Sequence, residues 1–245
     1  MPVAPPADSP STPLGLNGSA DGWGRSARSL VPELAFAFAF RAACYAFMVW
    51  LALWAEARAA PSLPDAVLAW VPYVAWVDRY NYLLWLAAYV PVALALLYSA
   101  PRRFCRYMVT SGWVALARGA CIVATGLGPV RGADVNAGLD EGRRLAAFWN
   151  LLSPLGFFGG GAGVYLTKDL FFSGHTATTF VLLLYVWRFP RLRWPMLAGH
   201  LLVVATVFFS HLHYTIDVVG AYGIAFTLFF LREGDAKALL GAPRL

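Results

Sequence analysis

Charge is scarce in this sequence. Asp, Glu, Lys and Arg make up only 13% of its 245 residues, while 60% are hydrophobic and the mean hydropathy is +0.60. An ordinary soluble domain is about 25% charged and about 45–50% apolar, so the composition excludes one and points to a membrane. Lysine is rarer still, because Lys168 and Lys237 are the only two among 19 basic residues. The net charge of +6 therefore sits on arginines placed mostly between apolar runs. That is how basic residues set orientation in a bilayer, and no nucleic-acid partner is expected. Cysteine is limited to Cys44, Cys105 and Cys121, an odd number within or beside apolar stretches. Neither a disulfide framework nor a zinc-ligand spacing can be built from them, so no metal and no cofactor are expected. Roughly the first 30 residues are rich in Pro, Ser, Gly and Ala and lack the apolar core of a secretory signal. They read as a disordered tail, which leaves the first apolar span to act as its own insertion signal.

Apolar runs are abundant. Windows of about 20 residues pick out Leu34–Ala55, Leu83–Ser99, Met108–Leu127, Thr176–Trp187 (beginning as early as Phe171), Pro195–Ser210 and Ile216–Leu231. Ala66–Trp76, bounded by prolines and rich in Trp and Tyr, is too short to span and reads as interfacial. The expected fold is an all-α membrane protein, a six-transmembrane-helix bundle over 33–232. It is flanked by a cytoplasmic tail at 1–32 and a short one at 233–245. Placing both termini in the cytoplasm puts eleven basic residues inside (Arg25, Arg28, Arg102, Arg103, Arg106, Arg188, Arg191, Arg193, Arg232, Lys237 and Arg244). Six lie outside (Arg58, Arg79, Arg131, Arg143, Arg144 and Lys168). The asymmetry favours cytoplasmic termini and an outer loop over Gly128–Phe172. The Gly159–Gly163 run lacks the Lys-Ser/Thr of a phosphate-cradling loop and reads as a flexible connection.

Two segments carry chemistry. Asp169-Leu-Phe-Phe-Ser173-Gly174-His175-Thr176 opens the fourth span, and His211-Leu-His213-Tyr214-Thr215-Ile-Asp217 opens the sixth. The assumed orientation puts both at the outer, non-cytoplasmic face. His213 and Asp217 are four residues apart, so they share a helix face. A carboxylate on one imidazole nitrogen leaves the other as a directed base or nucleophile. His175 follows a Gly at a helix start, where free amides and the helix dipole favour an anion. A phosphoryl group between the two histidines would meet a nucleophile on one side and a general acid on the other. Ionisable groups in membrane spans are costly and usually functional. Arg118, deep in the third span, reads as a phosphate ligand, with a structural ion pair to Asp169 or Asp217 as the alternative. Asp169, Ser173 and Tyr214 are further candidates for substrate binding, and Trp149, Tyr165 and Tyr214 for an aromatic choline cage. Lys168 adds positive charge near the site or is simply solvated. His200 reads as an interhelical hydrogen-bonding residue, and Arg41 as one that snorkels to a span end.

The chain resembles the sphingomyelin synthase family, a branch of the lipid phosphate phosphatase superfamily, at four places in order. Pro61-Ser62-Leu-Pro64-Asp65 is similar to the family's Pro-Pro-Leu-Pro-Asp, with Ser62 in place of a Pro. Arg102-Arg103-Phe104, then Arg118 with Thr125 seven positions later, is similar to its Arg-Arg and Arg-x6-Thr pattern, with Ala115 where the family tends to have Tyr. Asp169-x3-Ser173-Gly-His175-Thr176 resembles Asp-x3-Ser-Gly-His-Thr, preceded by Thr167-Lys168 rather than Cys-Gly. His213-Tyr214-Thr215-Ile-Asp217-Val218 resembles His-Tyr-Thr/Ser-x-Asp-Val. The superfamily's Lys-x6-Arg-Pro motif is not found.

The resemblance implies a phosphotransferase in which His213, assisted by Asp217, attacks a phospholipid donor and His175 serves as acid and then base for a ceramide or diacylglycerol-like acceptor. The headgroup would be phosphocholine or phosphoethanolamine. A lipid phosphatase or phospholipase C-type hydrolase would use the same residues, and a non-catalytic membrane scaffold is the third possibility.

Overall fold

A computed structural model describes residues 20–153 and 166–234, with side chains from Leu30 onward. The Gly159–Gly163 run, Tyr165 and Lys237 lie outside the described residues, as do most of the two expected tails. The described residues form seven helices and no strand: α1 (Ala20–Glu56), α2 (Ala75–Ser99), α3 (Pro101–Ala124), α4 (Glu141–Leu152), α5 (Gly174–Val186), α6 (Pro190–Phe209) and α7 (Thr215–Glu233). Five are long and apolar enough to cross a membrane: the Leu30–Glu56 part of α1, and α2, α3, α6 and α7.

The expected fourth span corresponds to the short helix α5. α5 has 13 residues, about 20 Å of helix, against about 30 Å of bilayer hydrocarbon. It is apolar all round because it is wrapped by protein. Thr176, Ala177, Thr179 and every residue from Val181 to Val186 are buried, against α3, α6, α7 and α2. A helix that is hydrophobic all round belongs in a protein core or a membrane span, and hydropathy alone does not separate the two. The second expected span also begins earlier, at Ala75, because polar residues of its first turns have local partners. Tyr73 donates its hydroxyl to Asp78 Oδ2 at 2.7 Å, and Asn81 Nδ2 donates to the Asp78 carbonyl at 2.6 Å. The loop between α3 and α5 contains α4, started by Asp140, whose Oδ1 accepts from Arg143 N at 2.9 Å, an N-cap bond.

Two cores hold the bundle. The larger joins α2, α3, α5, α6 and α7 through Leu96, Tyr107, Leu182, Tyr185, Met196 and Phe229. The smaller packs α1 on α3 and α4 through Met48, Val49, Leu53 and Ile122. Gly119 permits the close approach of α1: a Cβ there would lie 2.9 Å from Leu51 Cδ1 and 3.3 Å from the Met48 backbone. Small residues at such crossings let membrane helices associate.

The connectivity gathers one set of ends: the amino-terminal ends of α2, α5 and α7 and the carboxy-terminal ends of α1, α3 and α6. The two histidine segments therefore share one end of the bundle.

Candidate active site

The two motif segments are joined by their backbones. Ser173 N donates to the Asp217 carbonyl at 3.0 Å. Ser173 is wholly buried, and its Oγ accepts from Thr176 N at 3.4 Å as the N-cap of α5. Gly174 follows where a side chain would crowd the guanidinium: a Cβ would sit 3.0 Å from Arg118 Cζ and Nε. His175 then emerges from the first turn of α5, its ring edge-on to Trp85 at 5.5 Å and 6.3 Å from the His213 ring, centroid to centroid.

His213 is presented just ahead of α7. Asp217 Oδ2 accepts from Tyr214 N at 2.9 Å in a capping box, which fixes the carboxylate at the helix start. The same Oδ2 lies 3.5 Å from His213 Nδ1, longer than a hydrogen bond. Both His213 Nδ1 and Asp217 Oδ1 are buried without a hydrogen-bond partner. Catalytic contacts of this type are often long before substrate binds. With Nδ1 turned to Asp217, Nε2 is the nitrogen left for chemistry.

Arg118 sits between the segments, buried, and its donors are largely used. Nε donates to the Phe172 carbonyl at 2.7 Å and Nη2 to the Asp169 carbonyl at 2.8 Å, while Nη1 lies 3.4 Å from Met48 Sδ. Nη1 also pairs with Asp169 Oδ1 at 2.7 Å, off the N–H axis. Of the two roles open in the sequence, this arrangement displays the ion pair. Arg118 clamps the 169–172 stretch against α3.

Two cavities meet at the histidines and share Tyr82, Arg118, Leu151, Leu166, Asp169 and His175. One, of about 160 Å³, runs between α1, α2, α3 and α5 along Tyr45, Met48, Val49, Trp85 and Val114. The other, of about 340 Å³, reaches His213 and the polar rim of Asp78, Arg79 and Asn81.

Other predicted residues go elsewhere. Tyr214 is 2% exposed and lines neither cavity; its hydroxyl accepts from Leu63 N at 2.9 Å and approaches the Gly128 carbonyl at 3.1 Å. A buried phenol needs such partners, and these tie the 61–65 loop and the 128–129 turn to α7. Trp149 is 64% exposed and packs edge-on to Phe148, so the described residues do not assemble the aromatic cage. Lys168 is neither solvated nor at the site: it is buried, with Nζ 2.5 Å from both Asp134 Oδ1 and the Arg58 carbonyl. Arg41 turns inward, its Nε donating to Ser111 Oγ at 3.1 Å. His200 bridges Thr179 Oγ1 at 2.8 Å and Tyr222 OH at 2.7 Å. His211, at φ 50, bonds the Val71 carbonyl through Nε2 at 2.9 Å.

Two supporting residues, Glu56 and Asp65, carry roles that the sequence did not assign them. Glu56, buried at the end of α1, accepts from Asn136, Thr167 and the Lys168 amide and so fixes the approach to Asp169. The nearest signal was an acid ending an apolar run. Asp65 accepts from Thr215 N at 2.6 Å and Thr215 Oγ1 at 2.9 Å, capping α7 from the 61–65 loop. Partial burial opposes ionisation of Asp65, but the bonds from Thr215, Leu68 and Val67 outweigh it and hold its carboxyl below the ordinary 3.8. Among the described residues no group of three His, Cys, Asp or Glu is close enough to hold a metal ion.

Residues 168–233 match the family model described as PAP2 superfamily C-terminal. The match runs from Lys168 through α5, α6 and α7, so it contains both histidine segments. It supports the lipid phosphate phosphatase superfamily and an enzyme acting on phosphate groups. No curated protein matches the chain.

Proposed function

We propose that the protein is a lipid headgroup transferase that moves phosphocholine or phosphoethanolamine from a glycerophospholipid to ceramide, with the site on the non-cytoplasmic face. The observation that carries the reading is the pair of imidazoles, 6.3 Å apart at the starts of two helices, with a carboxylate behind one of them. In the first half-reaction His213 Nε2 attacks the donor phosphorus. The bond from phosphorus to the glycerol oxygen breaks as protonated His175 gives that oxygen its proton, releasing diacylglycerol. In the second, neutral His175 takes the proton of the ceramide hydroxyl. The hydroxyl oxygen attacks phosphorus, the phosphorus–nitrogen bond breaks, and His213 is restored. One residue acts as acid and then base, Asp217 stabilises the His213 cation, and the α5 amino terminus faces the anion. The apolar cavity beside Trp85 suits a lipid chain. Arg118 holds the 169–172 backbone in register and lines both cavities.

A hydrolase is the second reading. The wider cavity reaches His213 from the polar rim of Asp78, Arg79 and Asn81, a route by which water could take the acceptor's place. Incubating the purified protein with headgroup-labelled phosphatidylcholine or phosphatidylethanolamine, with and without ceramide, separates the two. Label in a sphingolipid only when ceramide is present supports transfer. Water-soluble label released equally in both cases supports hydrolysis and overturns the transferase.

A further inference from the structure

The end of the bundle remote from the histidines holds a cavity of about 470 Å³ lined by Leu30, Ala100, Pro101, Arg102, Arg103 and Arg106. Small-molecule sites occupy about 300–1,000 Å³. Its three arginines fall in the first two turns of α3, where cations are least favoured, because a helix amino terminus already carries about half a positive charge. α3 has no acid in its first turn and no side-chain cap. Its first bond runs from Phe104 N to the Ala100 carbonyl, and Pro101 has no N–H, so the amides of Arg102 and Arg103 lack helical partners.

Among the described residues two acids face this cluster. Glu33 is 3.9 Å from Arg102, with both side chains well exposed, a pair of little strength. Glu233 is buried and held by Arg106 and the Tyr185 hydroxyl, so its charge is matched by one arginine. Arg103 donates Nε to the Tyr185 carbonyl at 2.6 Å and lies over the Phe189 ring. Its Nη2 is buried without a hydrogen-bond partner, and Arg188 and Arg106 are its like-charged neighbours. Among the described residues Arg102, Arg103 and Arg106 therefore outnumber the two acids that face them.

We propose that this cavity binds the phosphate of an anionic phospholipid, at the membrane face opposite the histidine site. Guanidinium forks match phosphate oxygens in pairs, and the two free amides add donors. The surroundings indicate a lipid rather than a soluble anion. Leu30 and Pro101 rim the cavity, Tyr98 nearby is 94% exposed, and Val31, Phe36 and Phe38 are exposed along α1. Aromatic residues of that kind mark headgroup level. A zwitterionic headgroup would bring its own cation into a cationic pocket, so phosphatidylglycerol is preferred over phosphatidylcholine. The site stands apart from whatever reaction His175 and His213 perform.

The test titrates the full chain, in neutral maltoside detergent, with short-chain phosphatidylglycerol, short-chain phosphatidylcholine or inorganic phosphate, and counts bound molecules by native mass spectrometry. One phosphatidylglycerol should be retained in preference to phosphatidylcholine. Arg102→Gln and Arg103→Gln should each weaken it about tenfold or more, the loss of one charged hydrogen bond. Arg191→Gln, an exposed arginine at the same end outside the cavity, should change it less than about twofold. If Arg103→Gln does not fold, Arg102→Gln, on the exposed rim, carries the test. Equal weakening of phosphatidylglycerol and phosphatidylcholine retention by Arg102→Gln, or an Arg191→Gln loss matching that of Arg102→Gln, overturns the proposal. Complete displacement by millimolar inorganic phosphate overturns the lipid assignment.

Discussion

Replacing Arg118 with lysine separates a clamp from a phosphate ligand. The guanidinium reaches three oxygen atoms in different directions: the Phe172 carbonyl, the Asp169 carbonyl and Asp169 Oδ1. A single ammonium on a shorter side chain can keep the ion pair but gives up both carbonyl bonds. A hydrogen bond to a charged group contributes about 1.5–3 kcal/mol, so losing two costs about 3–6 kcal/mol. At about 2–4 °C per kcal/mol for a chain of this length, Arg118→Lys should melt on the order of 10 °C early. Arg118→Ala should melt earlier still, because Asp169 is left unpaired. The shift should appear in detergent without any added lipid, since every partner belongs to the protein. Asp169→Asn should be partly masked in an Arg118→Ala background, because the two share one interaction. Melting followed by tryptophan fluorescence, with and without donor lipid, reads this directly. If lipid-free Arg118→Ala melts like the wild type and only the lipid-dependent stabilisation is lost, the clamp is wrong and Arg118 holds the phosphate.

His175→Ala, His213→Ala and Asp217→Asn should each lower turnover by about 10²-fold or more without loss of the folded state, and pairs of them should lose far less than the sum; near-normal turnover in either histidine variant removes that residue from the mechanism. Cysteine placed in the 128–153 loop of a variant lacking Cys44, Cys105 and Cys121 should react with an impermeant thiol reagent on intact cells, whereas labelling only after permeabilisation would put the site on the cytoplasmic side. Asp65 has its carboxyl held low, so its contribution to stability is complete above the ordinary 3.8 and is lost as the pH falls through the lower, folded value. Melting between pH 7 and pH 3 should therefore show an acid-sensitive step below about pH 4 that is missing in Asp65→Asn, and an unchanged profile in that variant would refute the role of Asp65 as the α7 cap.

The residues that meet at the site were legible because their signals are local. Ser173-Gly174-His175 marks a helix start, and the four-residue spacing marks His213 and Asp217 as a pair, although His213 lies ahead of α7 and meets Asp217 at the helix start rather than along a helix face. Long-range partners were not. Arg118 and Asp169 are 51 positions apart in sequence, and only folding chooses between Asp169 and Asp217 as the acid that Arg118 meets. Tyr214 looks like a binding aromatic in sequence, but its hydroxyl is needed by the Leu63 amide, 151 positions away. Lys168 stands beside Asp169 in the chain yet points to Asp134. The five helices long enough to cross a membrane were visible as apolar runs, and so was α5, whose 13 residues fall short of a full span and are wrapped by protein; hydropathy reports that a segment avoids water, not whether lipid or protein surrounds it.

The central claim is that His213 carries the transferred group. Incubating the protein with headgroup-labelled donor in the absence of acceptor, quenching in alkali and sequencing the peptides by mass spectrometry tests it most directly. The account predicts headgroup phosphate attached to His213 and none in Asp217→Asn at the same time point. Label on another residue, or turnover with no label on His213 at any time, would contradict it.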